Sequence, residues 1–222
     1  MIKKILVLLA MMSAFALPAQ AMDEGFEYNK VSPALPTANP KKIEVIELFW
    51  YGCPHCYSFE PTLNKWLDKK PDNVEFVRIP AVFRKSWVPH ARAYYTAEAL
   101  GVLEKTHTAF FTQVHAKKRR LQTKKDIRKF FIENGVNGED FDSAWGSFVV
   151  ESKTKRAVTL TRRYGIKGVP ALVVNGKYRT SATEASINNP GGPTNDDVIK
   201  VVNFLVAQET DLTKAAAKSS KK

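Results

Sequence analysis

The chain's two cysteines, Cys53 and Cys56, are separated by Pro54 and His55. Thiols at this spacing can close a disulfide with one another, and either one as a thiolate can attack a disulfide elsewhere. A bridge that closes so short a loop removes little entropy from the unfolded chain, so it is a poor structural staple. Such a pair is better suited to exchanging its bond than to holding a fold together. The neighbouring residue types argue against the other common uses of paired cysteines. A zinc site needs two more ligands, and none of His55, His90, His107 and His115 stands at metal-binding spacing. A c-type haem needs histidine directly after the second cysteine, where this chain has Tyr57. No metal and no cofactor is implied.

Exchange is carried out by thiolate, so the surrounding elements must ionise one sulfur. Upstream, the run from Ile43 to Trp50 is apolar nearly throughout, as in a strand buried on both faces. Downstream, Phe59, Leu63, Trp66 and Leu67 recur at helical spacing. The pair therefore falls at a strand-to-helix turn with Cys53 at the helix start. There, unpaired backbone N–H groups and the helix dipole favour negative charge. Pro54 suits the first helical turn, where its missing N–H costs nothing. His55 adds a donor or a positive charge. Cys56, one turn along, is expected to be the more buried thiol and to resolve a mixed disulfide. Glu47, near the end of the buried strand, must be paired, hydrated or protonated. Glu60 follows on the same helix, where it can be a surface residue. Pro61 inside the helical pattern predicts a kink.

The remaining chain supplies the scaffold. Residues 22–41 read as an extended arm. The first helix is expected to stop at Pro71-Asp72-Asn73, with a second strand over 74–79. From 83 to 150 the pattern is helical. One helix falls within 86–100, and a second carries Leu103, His107, Phe110, Phe111 and Val114. A third starts at Thr123 and Asp126, and a longer fourth, capped by Asn137, carries Phe141, Trp145, Phe148 and Val149. His107 on its apolar stripe reads as a satisfied core or rim residue. Ala171–Val174, Asn175-Gly176 and Lys177–Arg179 read as a hairpin with a type I′ turn. After a loop at 188–193, Thr194 and Asp197 open a final helix with Val198, Val201, Val202 and Leu205 as its buried stripe. The order predicts an α/β, thioredoxin-like fold in two segments, 22–82 and 151–212, interrupted by an all-helical insertion over 83–150. The basic tail at 213–222 reads as disordered.

Residues 1–21 read as a cleaved secretory signal peptide, with Lys3 and Lys4 ahead of an apolar core and Ala19-Gln20-Ala21 at the cleavage site. Removing those two lysines lowers the formal charge from +12 to +10. Part of the excess is Lys117-Lys118-Arg119-Arg120 with Lys124, Lys125, Arg128 and Lys129, read as a solvated helix face. No aromatic-interleaved motif accompanies it, so nucleic-acid binding is set aside.

Several stretches together resemble the DsbA family of periplasmic thiol:disulfide interchange proteins, over essentially the whole mature chain. They are Glu47-Leu48-Phe49, Cys53-Pro54-His55-Cys56-Tyr57, Gly168-Val169-Pro170-Ala171 before the hairpin, and Phe141–Trp145 through Ser147–Val150. The resemblance implies that Pro170 is a cis-proline facing the thiols and that Val169 contacts the substrate backbone. It implies proton handling by Glu47 and Glu60. Arg78 stands where the relative compared has lysine, which keeps the charge but not the readily lost proton. Pro61 also departs from that relative and is more like thioredoxin itself. The implied activity is an oxidase that donates the Cys53–Cys56 disulfide to newly exported, unfolded proteins in the periplasm through a mixed disulfide at Cys53. The implied reoxidant is a DsbB-type membrane protein, and the implied state is a monomer. Two alternatives stand beside it: a reductase or isomerase, and a non-catalytic peptide-binding chaperone. An isomerase of the familiar kind would carry a separate dimerisation domain, for which the chain has no room.

Overall fold

The computed structural model describes residues 22–187 and 190–219. The leader expected at 1–21 lies outside these residues, as do 188 and 189 of the loop before the last helix and 220–222 of the tail. No helix among the described residues is long and apolar enough to cross a membrane.

Strand β2 (Ile43–Phe49) is buried at every residue, as its unbroken apolar run requires, and sits inside a five-stranded sheet. β3 (Val74–Pro80) runs parallel to β2 on one side. β4 (Ala171–Val174) runs antiparallel on the other and continues into β5 (Tyr178–Ser181). The arm read as extended supplies the edge strand β1 (Asn29–Lys30), giving the order β1-β5-β4-β2-β3. Between β4 and β5, Asn175 and Gly176 have φ of 52° and 65°, the left-handed pair a type I′ turn needs. Glycine is required at 176 for a second reason: a Cβ there would run into the backbone carbonyl of Leu35.

Side chains alternate across β2, and each face has its own cover. Ile43 and Val45 pack with Phe59, Leu63 and Trp66 of helix α1 (Pro54–Leu67) and with Val198, Val201, Val202 and Leu205 of helix α8 (Asn195–Ser219). Ile46, Leu48 and Phe49 face helices α2 (Val88–Ala99), α3 (Leu103–His115), α4 (Lys124–Glu133), α5 (Gly138–Gly146) and α6 (Phe148–Arg163). Phe110, Phe111, Phe130, Phe131 and Phe141 fill that second core at 1% exposure or less. Each contributes roughly 1.5–3 kcal/mol by its burial. The result is a thioredoxin-like sheet with a helical insertion between β3 and β4.

Several local expectations need correction. Helix α1, with Pro61 inside it, ends at Leu67, ahead of the Pro71-Asp72-Asn73 turn expected to stop it. The single helix expected after Asn137 is two, because Ser147 leaves the helical conformation (φ −67°, ψ 149°) and its Oγ caps Val150 N–H. That break turns Phe148 and Val149 outward, 83% and 55% exposed. Helix α6 then crosses the expected boundary between 150 and 151. Lys117–Arg120 lie in the turn after α3 rather than on a helix face, and Arg119 is tied to Glu133 at 2.6 Å. A short helix α7 (Ala182–Ala185), capped by Ser181, was not anticipated. The tail expected to be disordered from 213 is helical through Ser219.

Candidate active site

The turn leaving β2 delivers Cys53 to the N-cap of α1 (φ −91°, ψ 117°), with its N–H donating to Trp50 O at 2.9 Å. The Cys53 sulfur accepts the Cys56 N–H at 3.4 Å, the part an oxygen plays at most helix starts. Pro54 opens the first helical turn, and Pro54 and His55 lie exposed beside the sulfur. Gly52 is needed in the turn because a Cβ would strike the Trp50 indole, which stacks on Trp87 with centroids 4.0 Å apart.

The two sulfurs, both free thiols here, occupy unlike environments. Cys53 is 7% exposed and Cys56 wholly buried. Cys53 is lowered from an ordinary thiol's 9.0 to about 6. The hydrogen bond from the Cys56 thiol leads; burial opposes it; the backbone N–H groups of Cys56 and His55 and the His55 charge add to it. Cys56 is pushed well above 9.0, first by burial, then by its bond to Cys53 and by charge at Cys53 and Glu47. Near neutral pH the pair therefore holds one thiolate, at Cys53, and one proton, at Cys56.

Across from the helix start, the Cys53 thiol lies 3.3 Å from Val169 O, and the Val169–Pro170 peptide is cis. A groove of about 480 Å³ opens alongside, lined by His55, the Gly168–Pro170 loop and the β5–α7 corner that includes Thr183. Val169 and Pro170, far from the cysteines in sequence, thus meet them at one surface.

A second group of residues lies inside, behind the thiols. Glu47 is fully buried, and parallel register sets Arg78 beside it. Arg78 Nε donates to Glu47 Oε2 at 3.0 Å, while an Arg78 terminal nitrogen reaches Glu60 Oε1 at 3.4 Å and Asn64 Oδ1 at 3.4 Å. Glu60 is buried, not on the helix surface, and its Oε1 lies 3.5 Å from His107 Nε2. Burial, acting against Arg78, pushes Glu47 up to about 8. Burial also works to raise Glu60, but the His107 ring and Arg78 outweigh it and hold Glu60 low. One guanidinium cannot neutralise two buried carboxylates, so the cluster keeps a proton on Glu47.

A family model described as a DSBA-like thioredoxin domain matches residues 78–188. The thiol:disulfide interchange protein DsbA of Pseudomonas syringae pv. tomato is 42% identical over 207 residues, covering 92% of this chain and 94% of its own. The chain belongs to the DsbA family. The family model starts after the cysteines, but a match over 92% of the chain takes them in. The crystal structure of Pseudomonas aeruginosa DsbA is similar at a TM-score of 0.81 and 39% identity, over 88% of this chain and 98% of that one. A Proteus mirabilis DsbA variant solved with a non-covalently bound peptide is similar at a TM-score of 0.68 and 31% identity, over 84% and 99%.

Not every residue of this DsbA-family site could be picked out from the sequence. His107 is the buried, hydrogen-bonded residue expected, with Nδ1 bonded to the Tyr51 hydroxyl at 2.8 Å, but it also stands 3.5 Å from the Glu60 carboxylate. His115 bonds Tyr51 O at 2.8 Å and stacks on Tyr57, bracing the turn that carries Cys53. The only signal for either was a histidine at helical spacing among aromatics.

Proposed function

We propose that the protein is a thiol:disulfide oxidase that donates the Cys53–Cys56 disulfide to newly exported, unfolded proteins in the periplasm. The observation that carries this is the inequality of the two thiols: Cys53 at the helix start favours the anion, and Cys56 the proton. A substrate thiolate attacks Cys53 Sγ; the Cys53–Cys56 bond breaks, and the electron pair leaves on Cys56, which takes up a proton. A second substrate thiolate then attacks the substrate sulfur of the mixed disulfide and expels Cys53 as a thiolate. The substrate loses two electrons and gains a disulfide, and the enzyme ends as the dithiol. Stabilising Cys53 as an anion makes it the better leaving group, and so drives the reaction toward donation.

In this reading Val169 and Pro170 hold the substrate backbone in the groove beside His55, as suits a family whose Proteus mirabilis member has been solved with a bound peptide. Glu47 and Glu60 handle protons behind Cys56. The thioredoxin-like segments 22–82 and 151–212 carry the chemistry, and the helices of 83–150 close one side of it. Residues 1–21 direct export and are removed. The protein works as a monomer, and a DsbB-type membrane protein returns it to the disulfide form.

The equilibrium of the 53–56 dithiol with a glutathione buffer, paired with oxidation of a reduced two-cysteine substrate, tests the proposal. Wild type is expected to give up its disulfide readily, and Cys53→Ser to lose all oxidation. Should the dithiol hold its bond as tightly as thioredoxin does, the reductase reading replaces this one. If a variant lacking both cysteines keeps full activity, a chaperone does.

A further inference from the structure

Behind the thiols lies a cleft of about 230 Å³ that disulfide exchange does not itself require, lined by Glu60, Arg78, Tyr94, Glu104 and His107. Every element around it contributes a charged or titratable group: Glu60 from α1, Arg78 from β3, Tyr94 from α2, Glu104 and His107 from α3, and Tyr51 from the turn before Cys53. Glu47 and Glu60 share Arg78, so with both carboxylates ionised the cluster would carry a net negative charge in a buried site. One proton removes it. Since Glu47 Oε2 already accepts from Arg78, the place for that proton on Glu47 is Oε1, a buried atom with no hydrogen-bond partner in the structure.

The geometry points to His107 as the residue that decides where the proton stays. The Tyr51 hydroxyl is buried, stays protonated and lies 2.8 Å from His107 Nδ1. Donating there leaves the hydrogen of the neutral ring on Nε2, a buried atom with no hydrogen-bond partner that faces Glu60 Oε1 at 3.5 Å, an electrostatic contact rather than a formed hydrogen bond. We infer that His107 is a positioning residue for disulfide exchange. Oriented by Tyr51, it turns an N–H toward Glu60, favours charge there, and so leaves the shared proton on Glu47 beside the thiols. A neutral Glu47 spares both sulfurs a nearby negative charge, and the Glu47 charge is among those that raise Cys56. Burial lowers His107 itself, in keeping with a neutral donor rather than an imidazolium.

This inference rests on the exchange reading but can be tested apart from it, because Cys53 titrates whether or not the protein oxidises anything. The test follows thiolate absorbance against pH in full-length reduced protein, with the glutathione equilibrium measured alongside. His107→Leu removes the donor. The proton then moves to Glu60, Glu47 becomes anionic, and Cys53 is expected to titrate about half to one pH unit higher, roughly a three- to tenfold loss of acid strength. His107→Gln, whose amide N–H can take the place of Nε2–H, is expected to titrate with wild type. Tyr51→Phe, which frees the ring to turn, is expected to shift Cys53 the same way by less. A role in packing alone would lower thermal stability and leave all three titrations superposed. A folded His107→Leu that titrates like wild type, or a Gln variant shifted as far as Leu, overturns the inference. If Leu does not fold, an unshifted Tyr51→Phe overturns it. Failure of wild type to oxidise substrate, with these shifts present, would count against the oxidase reading alone.

Discussion

The leading cause of the low Cys53 pKa is the Cys56 thiol, ahead of the helix backbone, and replacing Cys56 isolates it. Cys56→Ala removes the donor, while Cys56→Ser keeps a hydroxyl in its place. A hydrogen bond to a charged acceptor is worth about 1.5–3 kcal/mol. At about 1.4 kcal/mol per unit the lower end of that range is ~1 pH unit, the fair choice where water can replace part of the loss. Cys53 should then titrate near 7 in Cys56→Ala, rather than at about 6 as in the intact pair. At a pH midway between them the thiolate fraction falls roughly threefold, and the alkylation rate should fall with it. Each variant carries a single sulfhydryl, so its absorbance titration has one assignment. Cys56→Ser should stay at or below wild type. If Ala and Ser variants titrate together at about 6, the sulfur-to-sulfur bond is not the cause, and the N–H groups of the helix start must carry the effect alone. The same shift has a stability signature. Because folding lowers the Cys53 pKa, it stabilises the reduced protein fully above 9.0 and loses that effect as pH falls through about 6. The reduced form should gain up to ~4 kcal/mol on the disulfide form across that window, of which about 1.4 kcal/mol is present at pH 7.

Two further outcomes follow from the scaffold. Arg78→Met leaves the buried Glu60 carboxylate without its cation and should cost about 3–5 kcal/mol by denaturant unfolding at pH 7. The loss should shrink toward pH 5 as Glu60 takes up a proton, and a pH-independent loss would mean that Arg78 acts by packing. Gly176→Ala meets both the left-handed backbone and the Leu35 carbonyl, so it should destabilise by more than the ~1 kcal/mol of a simple glycine-to-alanine change. An unchanged urea midpoint would rule out that close approach.

How far the sequence could be read depended on the range of the interaction. The strand into Cys53, the helix out of it, the Asn175-Gly176 turn and the Thr194 start of the last helix are local patterns, and each was legible. Asp197 N–H does donate to Thr194 Oγ1, at 3.2 Å. Ser147 is the exception, because propensity could not say that a serine would start a new helix after Gly146. The edge strand β1 was missed because its two residues gain their partners only from β5.

The sequence by itself determined that two thiols sit at the end of a buried strand and the start of a helix, because both elements are written in their own periodicity. It also determined that Glu47 would be paired, hydrated or protonated, because an ionised carboxylate in an apolar strand is too costly alone. Only the tertiary structure decided among these. Parallel register sets Arg78 opposite Glu47, α1 turns Glu60 inward, and an insertion helix brings in His107. Chain crossovers, not spacing, bring these charges together, and in a buried site their mutual distances govern which of them keeps a proton.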